Sequence, residues 1–290
     1  MIEKLAIIGV GLIGGSLALA LREAGYCRFV TGVGRNPKNL DIALERGIID
    51  RAEQDIPAAV SDADVVVLSV PVGAVGKVAR QLKGRLKSGA VVTDVGSVKG
   101  DIVQQIGDAF GEVPPSFVPG HPIAGTENSG AEAAQAGLFH HRRVILTPVG
   151  VTSEDAVQQV REMWAAAGAE VECMDIHHHD RVLALTSHLP HLLAFGLVDS
   201  LARQQSSEEI FRYVAGGFRD FTRIASSDPV MWRDICVHNR DAILTAMDDF
   251  QRDLSDLRKA VEAGDSEALE GIFSRAKRAR DQYTIDSKKD

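Results

Sequence analysis

Ile2-Glu3-Lys4-Leu5-Ala6-Ile7-Ile8-Gly9-Val10-Gly11-Leu12-Ile13-Gly14-Gly15-Ser16 opens the chain, and its reading decides the fold. Ile2 to Ile8 has the apolar character of a buried parallel strand. The spacing Gly9-x-Gly11-x-x-Gly14 then leads into a helix predicted from about Ile13 to Glu23. A lone glycine triplet says little; one that follows a strand and opens a helix is the signature of a dinucleotide-binding turn. In that turn Gly9 allows the tight bend. Gly11 lets the backbone approach a pyrophosphate, and Gly14 lets helix and strand pack closely. The free N–H groups of Leu12, Ile13 and Gly14 at the positive helix end favour phosphate. The uncharged run Leu5 to Leu21 has the composition of a signal peptide or membrane span, but its four glycines and the cancelling Glu3 and Lys4 argue for strand, turn and helix.

Further apolar runs repeat the pattern. Strands are predicted at Phe29 to Val33, Asp64 to Val70, Ala90 to Asp94, Phe117-Val118, Arg143 to Thr147 and Ala169 to Met174. Helices fit Ile42 to Arg46, Val72 to Leu82, and a segment capped by Ser153 that runs to Ala167. This alternation predicts an α/β fold with a Rossmann-type doubly wound parallel sheet, with Arg143 to Thr147 continuing that sheet. The turns past the strand ends carry Gly34-Arg35, Val70-Pro71, Gly96-Ser97 and Gly120-His121-Pro122, and ligands of such sheets bind past the carboxyl ends of the strands. Near Ile176 the strand-like runs stop and helices take over. The chain therefore reads as a dinucleotide-binding domain, 1–175, followed by an all-α domain, 176–290. Asp228-Pro229 starts a helix that could reach Ala263. Within it Ile243, Met247, Phe250, Leu254, Leu257 and Val261 form a heptad-like seam, suited to packing inside the domain or across a two-fold axis. Asp265-Ser266 opens a short final helix, and the polar tail after Tyr283 is expected to fray.

Composition excludes several classes. The chain has 290 residues, 45% hydrophobic and 25% charged, with a net charge of -8. A basic stripe for nucleic acid is missing, and Arg275 to Arg280 reads as a solvated helix face. Cys27, Cys173 and Cys236 lack disulfide or zinc spacing and read as small buried hydrophobes, which fits a cytoplasmic protein. No metal site is expected. His177-His178-His179 reads as a polar lead-in to the next helix, because adjacent residues point in different directions. Pro190 and the lack of neighbouring carboxylates argue against metal at His188 and His191.

The second strand bears on cofactor choice. An acidic residue there would bind the ribose 2′-OH of NAD; Gly34 stands in its place. Arg35, with Lys38 nearby, suits a 2′-phosphate, so the reading leans to NADP. The alternative, Arg35 stacked on the adenine, leaves NAD open. At the chemical end, His121 on a constrained loop past a strand end is suited to proton transfer near neutral pH. Ser97 is placed to hydrogen-bond its ring and set the tautomer. Arg223, in a stretch of small and apolar residues, suits a bidentate grip on a substrate carboxylate, or else an ion pair with Asp220 or Asp228.

Five motifs together resemble the prephenate/arogenate (cyclohexadienyl) dehydrogenase family over about residues 2 to 280. They are Gly9-x-Gly11-x-x-Gly14-Gly15-Ser16, Asp94-Val-Gly-Ser-Val-Lys99, Gly120-His-Pro-Ile-Ala-Gly-Thr-Glu127, Ser187-His-Leu-Pro-His191 and Gly216-Gly-Phe-Arg-Asp-Phe-Thr-Arg223 through Trp232. The resemblance implies oxidative decarboxylation of prephenate, arogenate or both, with His121 accepting a hydrogen bond from the substrate hydroxyl and Ser97 orienting it. It implies Arg223 as carboxylate anchor, Thr126, His188, His191 and Trp232 as pocket lining, and Glu127 near the mouth. It also implies a homodimer through the helical domain. A chorismate mutase segment or a regulatory domain is not expected, so tyrosine feedback would act at the active site. The rival readings are a β-hydroxyacid dehydrogenase or imine reductase, whose proton carrier sits on the helical domain, and a non-catalytic NADP-sensing protein, which has no need of His121, Ser97 and Arg223 together.

Overall fold

The computed structural model describes residues 1–126 and 128–285; Glu127 and the polar tail from Asp286 lie outside them. The described chain divides into two compact units, Met1–Arg240 and Asp241–Asp290.

In the first unit β1 (Ile2–Ile8), β2 (Cys27–Val33), β3 (Arg51–Glu53), β4 (Val65–Leu68), β5 (Val91–Asp94) and β6 (Phe117–Val118) form one parallel sheet in the order β3-β2-β1-β4-β5-β6. The order reverses between β1 and β4, the switch point at which this class of fold binds its ligand. The register brings Ile8 level with Leu68 and Leu68 level with Asp94, so the turns after β1, β4 and β5 share one edge.

The first helix, Leu12–Glu23, is buried on most of its surface because Gly14, Gly15 and Ala18 let it lie close to its neighbours. It stops where Gly25 takes a φ of +64°, a conformation that glycine adopts without strain. Leu17 and Leu21 are fully buried against Ile7, Val30 and Trp164 in a single apolar cluster. Each such side chain contributes roughly 1.5–3 kcal/mol on burial.

Four expectations are corrected. Arg143 to Thr147 does not extend the main sheet. The strand there, β8 (Arg143–Leu146), joins β7 (Gly120–Pro122) antiparallel and β9 (Glu170–Cys173) parallel in a separate three-stranded sheet. The chain changes sheets at Pro119, whose ring cannot donate a ladder hydrogen bond. The helix from Pro229 ends at His238, and a second runs Arg240–Ala263. Between them the buried Asn239 directs its side-chain amide to the Asp180 carbonyl and to His188 instead of continuing the helix. The final helix is long, Ser266–Ile285. Cys173 is exposed and lies 3.0 Å from an Arg161 nitrogen, while Cys27 is buried as expected.

In the second unit Arg275 to Arg280 is exposed, as a solvated face requires. The heptad seam opens along its length: Ile243 is buried, but Leu254 and Val261 are 50% and 62% exposed.

Candidate active site

The glycine turn has the shape of a phosphate cradle. Gly9 has a φ of +101°, and a Cβ there would fall 2.0 Å from the Ser69 carbonyl oxygen. A Cβ on Gly14 would meet Gly9 O at 2.5 Å and Ile7 at 2.8 Å, so the helix can sit this close only without a side chain. Gly11 is different: a Cβ there would meet nothing within 4 Å, so the open face of the turn lies at that position. The first N–H groups of the helix, on Leu12, Ile13 and Gly14, have no intrahelical acceptor, and no acidic side chain occupies the first turn. The residues present therefore fit a pyrophosphate. Ser69, Val70 and Pro71 follow β4 on the other side of the switch point. Asn39 bridges the Val10 carbonyl and the Ala131 amide, at 2.7 and 2.9 Å, and Ser16 Oγ accepts from the Gln135 amide at 2.9 Å. These bonds hold residues 131–135 against the nucleotide turn and its helix. Arg35 is exposed just past β2, and Asn36 caps the helix Pro37–Glu45, which places Lys38 in its first turn.

His121 stands on β7 opposite Ile145, not on a loop past a strand end. Two buried groups fix its backbone. Asp94 accepts hydrogen bonds from the amides of Gly96 (2.7 Å) and Gly120 (3.2 Å). The Lys99 ammonium pairs with Asp94 and donates to the Gly120 carbonyl at 2.7 Å. Both side chains are essentially inaccessible, at 1% and 0% exposure. Burial pushes the Asp94 carboxyl up and the Lys99 ammonium down, and their mutual attraction opposes both shifts. The Asp94 to Lys99 motif thus holds both the N–H and the C=O of Gly120, next to His121.

The ring of His121 is not hydrogen-bonded to Ser97, which is half-buried just past β5; its Nδ1 lies 2.9 Å from His179 Nε2. His179, fully buried, lies 2.8 Å through Nδ1 from Asp180 Oδ1. Asp180 in turn accepts from the amides of Lys99 and Gly100, both at 2.8 Å, at the start of the helix Gly100–Phe110. The reading of His177-His178-His179 as a polar lead-in is therefore corrected for its last member. The signal was present: Ile176, His179 and Leu183 are spaced three and four, so His179 lies on the inward stripe of its helix. Burial, then the neighbouring His179, Lys99 and His188, hold the His121 pKa well below 6.5, so its ring is neutral at physiological pH.

His188, His191 and Trp232 form a second cluster. The His191 ring stacks on Trp232 with centroids 3.7 Å apart, and His188 meets the same indole edge-on at 6.1 Å. His191 Nδ1 lies 2.8 Å from the Ser187 carbonyl. Asn239 donates to His188 Nδ1 at 3.0 Å, which leaves Nε2 as the protonated nitrogen, buried and without a partner among the described residues. The Trp232 indole nitrogen is in the same condition. Burial lowers the His188 pKa to about 4. Arg223 lies on a short helical turn, Arg223–Ser226, and its charge contributes to lowering the His191 pKa, after burial. Thr126 is exposed, and its hydroxyl accepts from the Asn128 amide at 3.2 Å.

A dinucleotide cradle at the switch point of the main sheet, together with a buried histidine on β7 of the same unit, is the equipment of a nucleotide-dependent oxidoreductase. The comparisons with known proteins narrow that class. Residues 17–173 match the nucleotide-binding domain of prephenate dehydrogenase, and residues 175–275 match its dimerization domain. A cyclohexadienyl dehydrogenase of Zymomonas mobilis is 40% identical over 96% of this chain and 95% of its own length. A prephenate dehydrogenase of Bacillus subtilis is 36% identical over 99% of this chain and 78% of its own. The structure of prephenate dehydrogenase from A. aeolicus, in complex with hydroxyphenyl propionate and NAD+, superposes with a TM-score of 0.91 at 38% identity, covering 97% of this chain and 98% of that one. The chain belongs to the prephenate dehydrogenase family.

Proposed function

We propose that this chain catalyses the oxidative decarboxylation of prephenate, arogenate or both, in tyrosine biosynthesis. The observation that carries the reading is the buried His121, on the strand after β6, in one unit of the fold with the glycine turn, the His188, His191 and Trp232 cluster and Arg223. Gly9, Gly11, Leu12, Ile13 and Gly14 would hold the pyrophosphate, with Val70, Pro71 and Ser97 lining the remainder of the cofactor site. The bound nicotinamide supplies a hydride acceptor. His121 accepts a hydrogen bond from the C4 hydroxyl of the cyclohexadiene and raises the electron density on that oxygen as hydride leaves C4. Scission of the ring carboxylate returns an electron pair to the ring, and the oxygen ends as a phenol. Arg223 pairs with a substrate carboxylate. His188 and Trp232 present N–H donors to the pocket. Thr126 lines its mouth, and Ser97 contacts the hydroxyl alongside His121.

The proposed division of labour follows the sequence: 1–175 holds the dinucleotide, and 176–290 contributes substrate contacts and a homodimer interface. In the second unit the exposed Leu254 and Val261 fit a subunit contact, and in the first the apolar helical run Ile176–Ala202 fits one as well. A cytoplasmic enzyme is the matching location. Arg35 and the lack of an acid at Gly34 favour NADP over NAD. A spectrophotometric assay of nicotinamide reduction, with prephenate and arogenate each against NAD and NADP, tests the reading. Reduction accompanied by one CO2 per turnover supports it; no reduction with any of the four pairs refutes it.

A further inference from the structure

We propose that His179 and Asp180 are positioning residues that set the tautomer of His121 and share the charge it acquires. The inference rests on the reading of His121 as the acceptor for the substrate hydroxyl. It starts from the far end of the chain of bonds. Asp180 accepts hydrogen bonds from the Lys99 and Gly100 amides at a helix N-terminus. Burial works to raise its pKa, but bonds from His179 and those two amides outweigh it, so the carboxylate stays ionised. An ionised carboxylate only accepts, so the nitrogen 2.8 Å away, His179 Nδ1, carries a proton. In the proposed form the ring carries that single N–H, which leaves Nε2 bare. Across the 2.9 Å contact that nitrogen accepts from His121 Nδ1–H. His121 is left with an unprotonated Nε2, the one nitrogen on the ring not committed to the protein. With His179 in that form, the chain of bonds makes the reactive histidine an acceptor where the hydroxyl needs one.

The same bonds handle charge. When the hydroxyl proton shifts toward His121 Nε2, the Nδ1 proton can move to His179 Nε2. The imidazolium then lies on His179, in contact with Asp180, rather than on His121. That matters because Lys99 and His188 also face His121, and a full positive charge there is unfavourable. When the ring carboxylate leaves and the oxygen becomes a phenol, both protons step back. Hydride and CO2 are the only groups lost from the ring, so no proton has to reach solvent, in keeping with a fully buried His179.

The test has two independent parts. In the wild-type holoenzyme labelled with 15N-histidine, long-range 1H–15N spectra should show His121 and His179 both protonated at Nδ1 and bare at Nε2. A protonated Nε2 on His121 overturns the proposal whatever the kinetics. His179→Gln keeps an acceptor for His121 Nδ1–H but neither carries a proton nor reaches Asp180. It should lower kcat about 100-fold with KM and cofactor affinity nearly unchanged. An unchanged kcat, or a loss confined to KM, overturns the charge-sharing role. Asp180→Asn, checked for retained cofactor binding, should move kcat the same way; full activity in that variant also refutes the proposal. The spectra need no turnover, so they test the tautomer even if neither substrate is consumed.

Discussion

Lys99→Met removes one charge from a buried pair and leaves the other. The ammonium it deletes is 0% exposed, and it neutralises Asp94 while donating to the Gly120 carbonyl. Without it the Asp94 carboxylate keeps only the Gly96 and Gly120 amides as partners. Breaking a buried pair from one side costs about 3–5 kcal/mol, a large part of the roughly 5–15 kcal/mol that holds a folded domain together. Urea unfolding reports it directly, because Trp164 is buried in the nucleotide-binding core. The paired change Asp94→Leu with Lys99→Met sharpens the test. Replacing both charges by apolar groups is often harmless, but here it leaves two amides without an acceptor, at about 1–3 kcal/mol each. The double variant should therefore not recover wild-type stability. A Lys99→Met protein within about 1 kcal/mol of wild type, or a double variant equal to it, refutes the claim that the clamp holds β7.

Other outcomes follow from the same geometry. His121→Asn should lower kcat by orders of magnitude with little change in KM; an unaltered kcat removes it from the chemistry. Arg223→Ala should mainly raise KM, and intact substrate affinity would contradict the anchor role. Gly34→Asp with Arg35→Asn should shift preference toward NAD, at some cost in stability because a Cβ at Gly34 comes within 3.2 Å of the buried Leu40 side chain; an unmoved NADP-to-NAD ratio rejects the assignment. Because His188 binds its proton only near pH 4 when folded, but near 6.5 when unfolded, its contribution to stability is complete above about pH 6.5. That contribution is lost as pH falls toward 4, at about 1.4 kcal/mol per pH unit, with His121 acting in the same direction; acid-range denaturation midpoints that stay flat would contradict the neutral buried rings.

The nucleotide-binding half was legible because glycine leaves a mark that no other residue does. Gly9 and Gly14 occupy positions where a Cβ would collide with backbone, so the motif states its own geometry. Short pieces were harder to read. β3 spans three residues, Arg51–Glu53, with no apolar pattern, and β7 is three residues around His121. Their strand character comes from pairing with distant segments rather than from local composition. The same holds for Asn239, which reads as an ordinary helical residue until its tertiary partners Asp180 and His188 are seen. His179 was obscured by two exposed neighbours of the same type. Lys99 was visible as part of a motif, but its pairing across β5 and β7 lies beyond what spacing can show.

A crystal structure of this protein with a nicotinamide dinucleotide and hydroxyphenyl propionate bound together tests the central claim most directly. The account predicts the phenol oxygen within about 2.6–3.2 Å of His121 Nε2, with the ligand carboxylate on Arg223. A phenol oxygen turned away from His121, with His121 Nδ1 released from His179, would contradict it.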